Sequence, residues 1–473
     1  MTARSHLTSH RTPPRLPAAR AAGRTTAAIA VTSLAVVALA ACGSSSKSGG
    51  STPAPVGAAP TTSPGGAAGA TTSGGTGGGT ASAPGITPTE VLIGTTQPLT
   101  GPAAPGYSKI SAAMTAYFDY VNAAGGVNGR KISLKVVDDG YNPATTATAT
   151  RQLVLSDKVF ATVGSLGTPT QTAVLDFLKT NKVPDLFVSS GSRSWDQPQK
   201  YPTTFGWQPD YTVEGKILGS YIKKTYAGKK VCSFGQGDDF GTDGAAGVEL
   251  SLGKGSLATK QTYDPTNTNV GPQVGALKAA GCQVVVSFTV PGFTALEIGT
   301  AAQTGFMPQY VISNVGADYP TLQGFLKANT AALLEGAVSD DYVPLSNEAT
   351  NPWNVLFQKV DAMYDNNAPY DGNVEYGMSL AYTFVQALQA AGPNPTRASI
   401  IAAVEKGGFT GPGLVPFRFS STVHAGYAGV QIASIIKGVP TAMGPVYTTD
   451  DTDAAIQEYT QPAATPPASG IPG

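Results

Sequence analysis

A glycine-rich loop near the middle of the chain offers the first candidate chemistry. Residues 231–244 read VCSFGQGDDFGTDG, in which a short apolar run leads into a Gly-x-Gly turn, as in a dinucleotide-binding fingerprint. Phe240 stands where the third glycine belongs, and Asp238 and Asp239 stand where a pyrophosphate needs free amides and a positive field. The loop therefore predicts a strand-to-helix turn, and no nucleotide cofactor is expected.

Residues for nucleophilic catalysis are scarce. The chain has three histidines, and only His424 lies beyond the N-terminal leader, so a Ser-His-Asp or Cys-His system would depend on that residue. There is no Gly-x-Ser-x-Gly motif, no CxxC and no zinc-ligand spacing. Ser251 and Lys254 match Ser-x-x-Lys, but they lie at the end of a predicted surface helix. We therefore expect neither catalytic residues nor a metal site, and we do not expect the protein to be an enzyme.

The N-terminal region has the composition of an export signal. Residues 1–26 contain five arginines and no acid, and an apolar run follows to Ala41, so residues 1–41 are predicted to be a signal peptide. The run ends in LAACG (39–43), which resembles the bacterial lipobox and predicts a lipid anchor on Cys42. Residues 42–87, rich in Gly, Ser, Thr, Ala and Pro, predict a flexible tether with a reach of roughly 35 Å.

The charge of the remaining chain argues against nucleic acid. Six of the 30 lysines and arginines precede Glu90, the first acidic residue. The rest therefore carries 24 basic and 30 acidic residues, a net charge of −6. A mildly acidic body without basic clusters predicts no nucleic-acid partner.

Strands and helices alternate from Glu90 onward, which predicts an α/β fold with parallel sheets. Residues 200–210 contain two prolines and predict a crossing between two series of strands. Beyond Asp340 the pattern is mainly helical, and residues 426–443 predict a hairpin. The predicted strands are VLIGT (91–95), ISLKVV (132–137), FATVG (160–164), DLFVS (185–189), VCSF (231–234), ATKQTY (258–263), QVVVSF (283–288) and QYVIS (309–313).

Helices are predicted between these strands. Apolar residues at helical spacing form two clear stripes: Ile110, Met114, Tyr117 and Val121 in the first, and Val374, Met378, Ala381, Val385 and Leu388 in the second. Thr168 followed by Pro169 predicts a helix start with the threonine as N-cap.

Four stretches in the same order and spacing resemble one family. They are VLIGTTQPLTGPAAPGY (91–107), AAGGVNGRKISLKVVDDGYNP (123–143), ATVGSLGTPTQTAV (161–174) and YDPTNTNVGPQVGALKAAGCQVVVSF (263–288). With them, residues 88–445 resemble the type I periplasmic substrate-binding proteins of the branched-chain amino acid (Leu/Ile/Val) class, which serve ABC importers.

The resemblance implies two doubly wound lobes joined by three crossings, with a ligand held in the cleft between them. The implied boundaries are 88–206 for the first part of lobe 1 and 207–338 for the first part of lobe 2. Residues 339–436 then return to lobe 1, and residues 437–473 form the terminal segment of lobe 2 and a flexible tail. In a lobe with strand order 2-1-3, the strands near Cys232 and Cys282 are neighbours, so a disulfide is expected in an oxidising compartment.

The cleft residues of the first lobe follow its strands, where ligands of open α/β sheets bind. Ser165, Gly167 and Thr168 precede a predicted helix, and Thr168 matches a ligand-contacting hydroxyl of the family. Gly191 and Ser192 match a ligand-gripping segment.

Aromatic residues provide the remaining predicted walls. Tyr107 matches an aromatic wall, and Phe240 matches a tyrosine that covers the ligand. Gln208, Tyr211 and Phe293 are expected to face the same cleft.

One departure from the family pattern concerns the ligand. Amino acid binders place an acid after the strand that ends here near Ser313, but this chain has Asn314 as the expected ligand contact there, and Asp318 is the nearest acid. A buried ammonium without a charge partner is costly. A neutral or carboxylate-bearing ligand is therefore expected to fit at least as well as an α-amino acid.

The sequence thus predicts an extracytoplasmic, lipid-anchored, monomeric protein that captures a small ligand (an amino acid, amide or carboxylate) and presents it to an ABC importer permease. A ligand sensor of the same fold with a signalling partner stays open as an alternative. A secreted hydrolase that depends on His424 is the weaker third hypothesis.

Overall fold

The computed structural model describes residues 83–365 and 368–473. The predicted signal peptide, the predicted lipidation site Cys42 and nearly all of the predicted tether lie outside the described residues. Among the described helices, none is both long and apolar enough to span a bilayer.

Strands and helices alternate through most of the described chain. The strands are β1 (Glu90–Gln97), β2 (Lys131–Asp138), β3 (Thr162–Val163), β4 (Asp185–Val188), β5 (Thr204–Gly206), β6 (Val231–Gln236), β7 (Lys260–Tyr263), β8 (Val284–Phe288), β9 (Gln309–Ile312), β10 (Val338–Asp341), β11 (Gly429–Ile436), β12 (Val439–Thr448) and β13 (Gln457–Tyr459). All eight predicted strands form.

The α-helices connect these strands and cover the sheets. They are α1 (Ala104–Tyr107), α2 (Ile110–Ala123), α3 (Pro143–Arg151), α4 (Thr168–Thr172), α5 (Leu175–Thr180), α6 (Tyr211–Thr225), α7 (Asp239–Leu252), α8 (Gly271–Ala279), α9 (Pro291–Gln303), α10 (Tyr319–Leu326), α11 (Thr330–Leu334), α12 (Pro352–Tyr364), α13 (Gly372–Ala390) and α14 (Arg397–Lys406). Every residue of the two predicted apolar stripes, on α2 and α13, is buried.

The first lobe is built on a parallel five-stranded sheet in the order β2-β1-β3-β4-β5. A parallel sheet needs a crossover after each strand. Helices supply it after β1, β2 and β3, whereas β4 reaches β5 through a connection with one short 3-10 turn, Arg193–Trp195. The chain leaves this sheet after β5, which lies inside the predicted crossing 200–210, and begins the second sheet at β6.

The second lobe has an eight-stranded mixed sheet in the order β13-β12-β11-β10-β9-β8-β6-β7. The five strands from β6 to β10 pair in parallel, and β11 to β13 extend the sheet by antiparallel pairing. The β11–β12 connection is a two-residue turn, Lys437 and Gly438, in which both residues have positive φ, the geometry that suits tight hairpins.

The strand pairing differs from the predicted lobe boundaries. The boundary at residue 436 divides the hairpin, yet a two-residue turn keeps both strands in one sheet, and β11 pairs with β10 in the second sheet. The return to the first lobe therefore consists of α12, α13 and α14, of which α12 and α13 pack against α2.

The C-terminal segment also differs from the predicted flexible tail. It lies against helices of the first lobe, where the Trp353 indole N–H donates to the Ala464 carbonyl oxygen at 2.7 Å. The Tyr117 hydroxyl donates to the Gly470 carbonyl oxygen, also at 2.7 Å. The tail thus makes a fourth connection between the lobes, because it starts from β13 in the second sheet.

A disulfide fastens two neighbouring strands of the second lobe. Cys232 lies in β6, and Cys282 lies two residues before β8, which pairs directly with β6. The two sulfurs are bonded and the Cα atoms are 5.8 Å apart. Both cysteines are buried in the core of the lobe. The bond between them closes a long segment of the chain.

We expect loss of this disulfide to lower the free energy of unfolding by about 2–4 kcal/mol, because the unfolded chain regains the freedom that the bond removes. The measurement is urea unfolding of a Cys232→Ser/Cys282→Ser double variant against a parent that carries Cys42→Ser. Thiol labelling of the native, unreduced parent should find no free thiol, and two reactive thiols would contradict the assignment.

Candidate functional site

The carboxyl ends of both sheets face a shared cavity of about 410 Å³. Its wall includes residues that follow β1, β2, β3 and β4 in the first lobe, and β6, β8 and β9 in the second. The end of β10, the start of α13 and part of the β11–β12 hairpin complete it. This is the position where open α/β sheets bind ligands.

Seven of the predicted ligand-binding residues line this cavity. They are Tyr107, Gly167, Thr168, Gln208, Tyr211, Phe240 and Asn314. The other four, Ser165, Gly191, Ser192 and Phe293, are not part of its wall.

Two of these four make hydrogen bonds with backbone amides near the cavity. Ser165 Oγ accepts a hydrogen bond from the Thr96 amide at 3.2 Å. Gly191 accepts from the Tyr211 amide at 2.8 Å, and a β-carbon at this glycine would lie 2.5 Å from the carbonyl oxygen of Pro209. Both residues therefore support the loops of the cavity from outside it.

The other two make contacts elsewhere. Ser192 donates through its hydroxyl to Asp239 Oδ2 at 2.8 Å, a contact between the lobes. Phe293 stacks on Tyr263 with ring centroids 4.0 Å apart and an interplanar angle of 15°. A buried aromatic partner, which the sequence alone does not show, holds Phe293 away from the cavity.

Thr168 has a different local role from the predicted one. Gly167, with a φ of 109°, is the N-cap of α4, and no side chain caps that helix. The Thr168 hydroxyl instead lies 2.8 Å from Ser190 Oγ, which also accepts a hydrogen bond from the Tyr211 hydroxyl at 3.3 Å. Three hydroxyl groups thus form a chain at the cavity wall.

The glycine-rich loop after β6 places Phe240. Asp238 is the N-cap of α7, and its Oδ1 accepts a hydrogen bond from the Phe240 amide at 3.0 Å. The ring of Phe240 packs on that of Tyr211 with centroids 4.5 Å apart. The aspartate thus caps a helix, and the aromatic ring lines the cavity.

Hydrogen bonds join the two lobes around the cavity. The Tyr107 hydroxyl donates to the carbonyl oxygen of Val315 at 2.8 Å, and Gln236 Nε2 donates to the Tyr141 hydroxyl at 3.2 Å. Tyr107 and Tyr141 belong to the first lobe, whereas Val315 and Gln236 belong to the second. The structure therefore shows the lobes in a closed arrangement.

The side chain of Asn314 is hydrogen-bonded to two buried acids. Its side-chain amide donates to Glu214 Oε1 and to Asp340 Oδ2, both at 3.0 Å. Burial raises the pKa of Asp340 to about 6. Burial and repulsion from Asp340 raise the pKa of Glu214 well above its usual range. Asn314 thus donates its side-chain hydrogen bonds to an acidic cluster, so these donors are not available to a ligand.

Three further acids line the cavity, and sequence reasoning did not place two of them there. They are Asp318, which was noted as the nearest acid, Asp341 and Glu375. Asp341 ends a strand, which is a usable signal for a cleft residue. Glu375 lies in the first turn of a helix after a long connection, where local sequence gives no such signal.

His424 does not contribute to the cavity. Its side chain is fully buried, its ring stacks on Phe205 with centroids 3.8 Å apart, and Nδ1 lies 2.9 Å from the carbonyl oxygen of Thr204. Burial lowers the pKa of this histidine. The hydrolase hypothesis therefore has no histidine at the site where a substrate would bind.

The chain belongs to the periplasmic binding protein family, whose sequence pattern matches residues 90–439. A curated relative, Leu/Ile/Val-binding protein homolog 3 of Brucella melitensis biotype 1, is 28% identical over 41% of this chain and 53% of its own, so the match spans about half of that relative.

Two solved structures show the same fold. A substrate-binding periplasmic protein from Ralstonia solanacearum has a TM-score of 0.68 at 22% identity, over 75% of this chain and all of that one. A branched chain amino acid ABC transporter protein from Thermus thermophilus with bound valine has a TM-score of 0.66 at 19% identity, over 77% of this chain and 97% of its own.

The acidic cluster around Asn314 predicts an unusual pH dependence. Because the pKa of Asp340 is about 6 in the folded protein and about 3.9 in an unfolded chain, the folded state binds more protons between these values. Stability therefore falls as pH rises from about 4 to about 6. Asp340→Asn should raise the unfolding temperature at pH 7.5, measured by circular dichroism. The variant should also show a smaller increase in unfolding temperature from pH 7.5 to pH 5 than the wild-type protein.

Asp138→Asn is the matched control, with the opposite sign. Although partial burial opposes it, hydrogen bonds from Thr100, Gly140 and Leu99 hold the pKa of Asp138 below its usual value. The carboxylate therefore stabilises the protein above the unfolded pKa, and that stability is lost on acidification. This variant should unfold at a lower temperature at pH 7.5. A shift of both variants in the same direction would contradict the assignment.

Proposed function

We propose that this protein is an extracytoplasmic solute-binding lipoprotein that captures a small organic ligand between its lobes and delivers it to an ABC importer. The observation that carries the proposal is the cavity at the carboxyl ends of two sheets, with hydrogen bonds between the lobes around it. Membership of the periplasmic binding protein family supports it.

A ligand that contacts both lobes supplies the free energy of closure, because only a differential affinity for the closed state can shift the equilibrium. Here Thr168 contributes from the first lobe and Phe240 from the second. Gln208 lines the cavity, and its Nε2 is buried without a hydrogen-bond partner among the described residues. A ligand with an acceptor group would satisfy that donor.

Attachment to the membrane is the second part of the proposal. It depends on Cys42 and on the apolar run before it, which the sequence supports. A lipid on this cysteine and a tether of Gly, Ser, Thr, Ala and Pro would hold the two lobes near a permease while leaving them free to rotate.

The ligand is best sought by native mass spectrometry of the purified protein, followed by a thermal-shift panel of amino acids, amides, aromatic acids, amines and sugars. For the best hit, Thr168→Ala should weaken binding about tenfold through loss of one hydroxyl contact. Phe240→Ala should weaken it at least as much. Calorimetric titration measures both effects.

Two predicted residues outside the cavity serve as matched controls. Ser165→Ala removes a buried hydroxyl, as Thr168→Ala does. Phe293→Ala removes a buried ring, as Phe240→Ala does, and each phenylalanine change should cost about 3–5 kcal/mol of stability. Neither control should change the affinity beyond about threefold. If Thr168→Ala and Phe240→Ala both left the affinity unchanged, the site would be wrong.

A further inference from the structure

Carboxyl groups from both lobes meet at one part of the cavity wall. Asp341 ends β10 in the second sheet, and Asp318 is the N-cap of α10 in the same lobe. Glu375 lies in the first turn of α13, which packs on α2 in the first lobe. Closure of the lobes therefore brings like charges together. No other described part of this wall carries a compensating positive charge.

Two of these carboxyl groups have oxygens without a hydrogen-bond partner among the residues that the structure describes. The Glu375 side chain is only 1% exposed, and its Oε1 is buried without a hydrogen bond. Asp341 also lines the cavity, and none of the hydrogen bonds within 83–365 and 368–473 involves its carboxyl group. Asp318 differs, because its Oδ2 accepts hydrogen bonds from the amide and hydroxyl of Thr321. Asp341 and Glu375 are thus free to bind a ligand.

The surroundings of this pair contain no compensating charge. Among the lining residues within 83–365 and 368–473 there is no lysine, arginine or histidine. Lys109, which acts on Asp318, has its ammonium bound to Asp371. The groups that face Asp341 and Glu375 are acidic or phenolic: Asp318, Asp340, Glu348, Tyr342 and Tyr370.

Such a pair is stable only if it binds protons or a cation, because two buried like charges repel and lose their hydration. Burial, followed by repulsion from Asp340, Asp318 and Glu348, raises the pKa of Asp341 well above its usual range. Burial, followed by repulsion from Asp341 and Glu348, does the same for Glu375. A cationic ligand would displace these protons and link the two lobes through the pair.

We propose, on the basis of the solute-binding function above, that the ligand is an organic amine whose ammonium group lies between Asp341 and Glu375. The ligand carries no free carboxylate, because the same wall would repel it. Tyr342 and Tyr376 also line the cavity, and their rings suit a cation or an aromatic amine. The cavity of about 410 Å³ limits the ligand to a small molecule.

Three probes of one skeleton test the charge preference by calorimetric titration of the full chain at pH 7.5. Tyramine carries the ammonium alone, tyrosine adds a carboxylate, and 3-(4-hydroxyphenyl)propionate carries the carboxylate alone. Tyramine should bind at least about tenfold more tightly than the other two. Asp341→Asn and Glu375→Gln should each weaken tyramine binding about tenfold or more, because each removes one charged hydrogen-bond acceptor without changing its shape.

Asp176→Asn, at an exposed acid of α5, is the matched control and should leave tyramine affinity unchanged. Both cavity variants should also raise the unfolding temperature of the protein alone, because they remove repulsion, whereas loss of a merely structural contact would lower it.

Tighter binding of the carboxylate probe than of tyramine would overturn the proposal, as would unchanged tyramine affinity in both variants. In that case, loss of the carboxylate probe's binding in Thr168→Ala and Phe240→Ala would leave the solute-binding function intact. If neither these three probes nor any compound of the wider panel bound, both the amine proposal and the solute-binding function would fail.

Discussion

Repulsion between carboxyl groups that the two lobes bring to one cavity is the constraint on which the closed structure depends. Asp341 comes from the second sheet and Glu375 from a helix of the first lobe, and no base in the described part of the cavity wall neutralises them. Asn314 satisfies only the neighbouring pair, Glu214 and Asp340. The closed arrangement must therefore include protons or a bound cation at this point.

The fold supplies the rigidity that makes this repulsion effective. Parallel strands of both sheets end at the cavity, so its residues lie on loops anchored at one end by a strand. The Cys232–Cys282 disulfide fixes two adjacent strands of the second lobe. The C-terminal tail binds to the helices of the first lobe and so adds a fourth connection to the three crossings between the lobes.

Features encoded by local periodicity could be predicted from the sequence. The apolar stripe that includes Met378 is buried as a helical spacing requires, and alternation of strands and helices gave the parallel sheets. Phe240 was placed correctly at the cavity because the turn and the helix cap that position it are local in sequence.

Features that depend on distant contacts could not be predicted. Phe293 was expected in the cavity, but it stacks on Tyr263, thirty residues away. Glu375 becomes a site residue only because the first turn of α13 and the end of β10 line the same cavity, a tertiary arrangement with no local pattern. The boundary at residue 436 was placed within a hairpin because strand pairing, rather than composition, decides which lobe a strand joins.

Small-angle X-ray scattering of the full chain tests the central claim most directly, because it measures whether charge at the cavity opposes closure. The account predicts a larger radius of gyration for the ligand-free protein at pH 8, and a decrease either with saturating tyramine or on acidification to pH 5, because burial and mutual repulsion raise the pKa of Asp341 and of Glu375 and acid favours their uncharged forms. A radius of gyration that stays the same under all three conditions would contradict it.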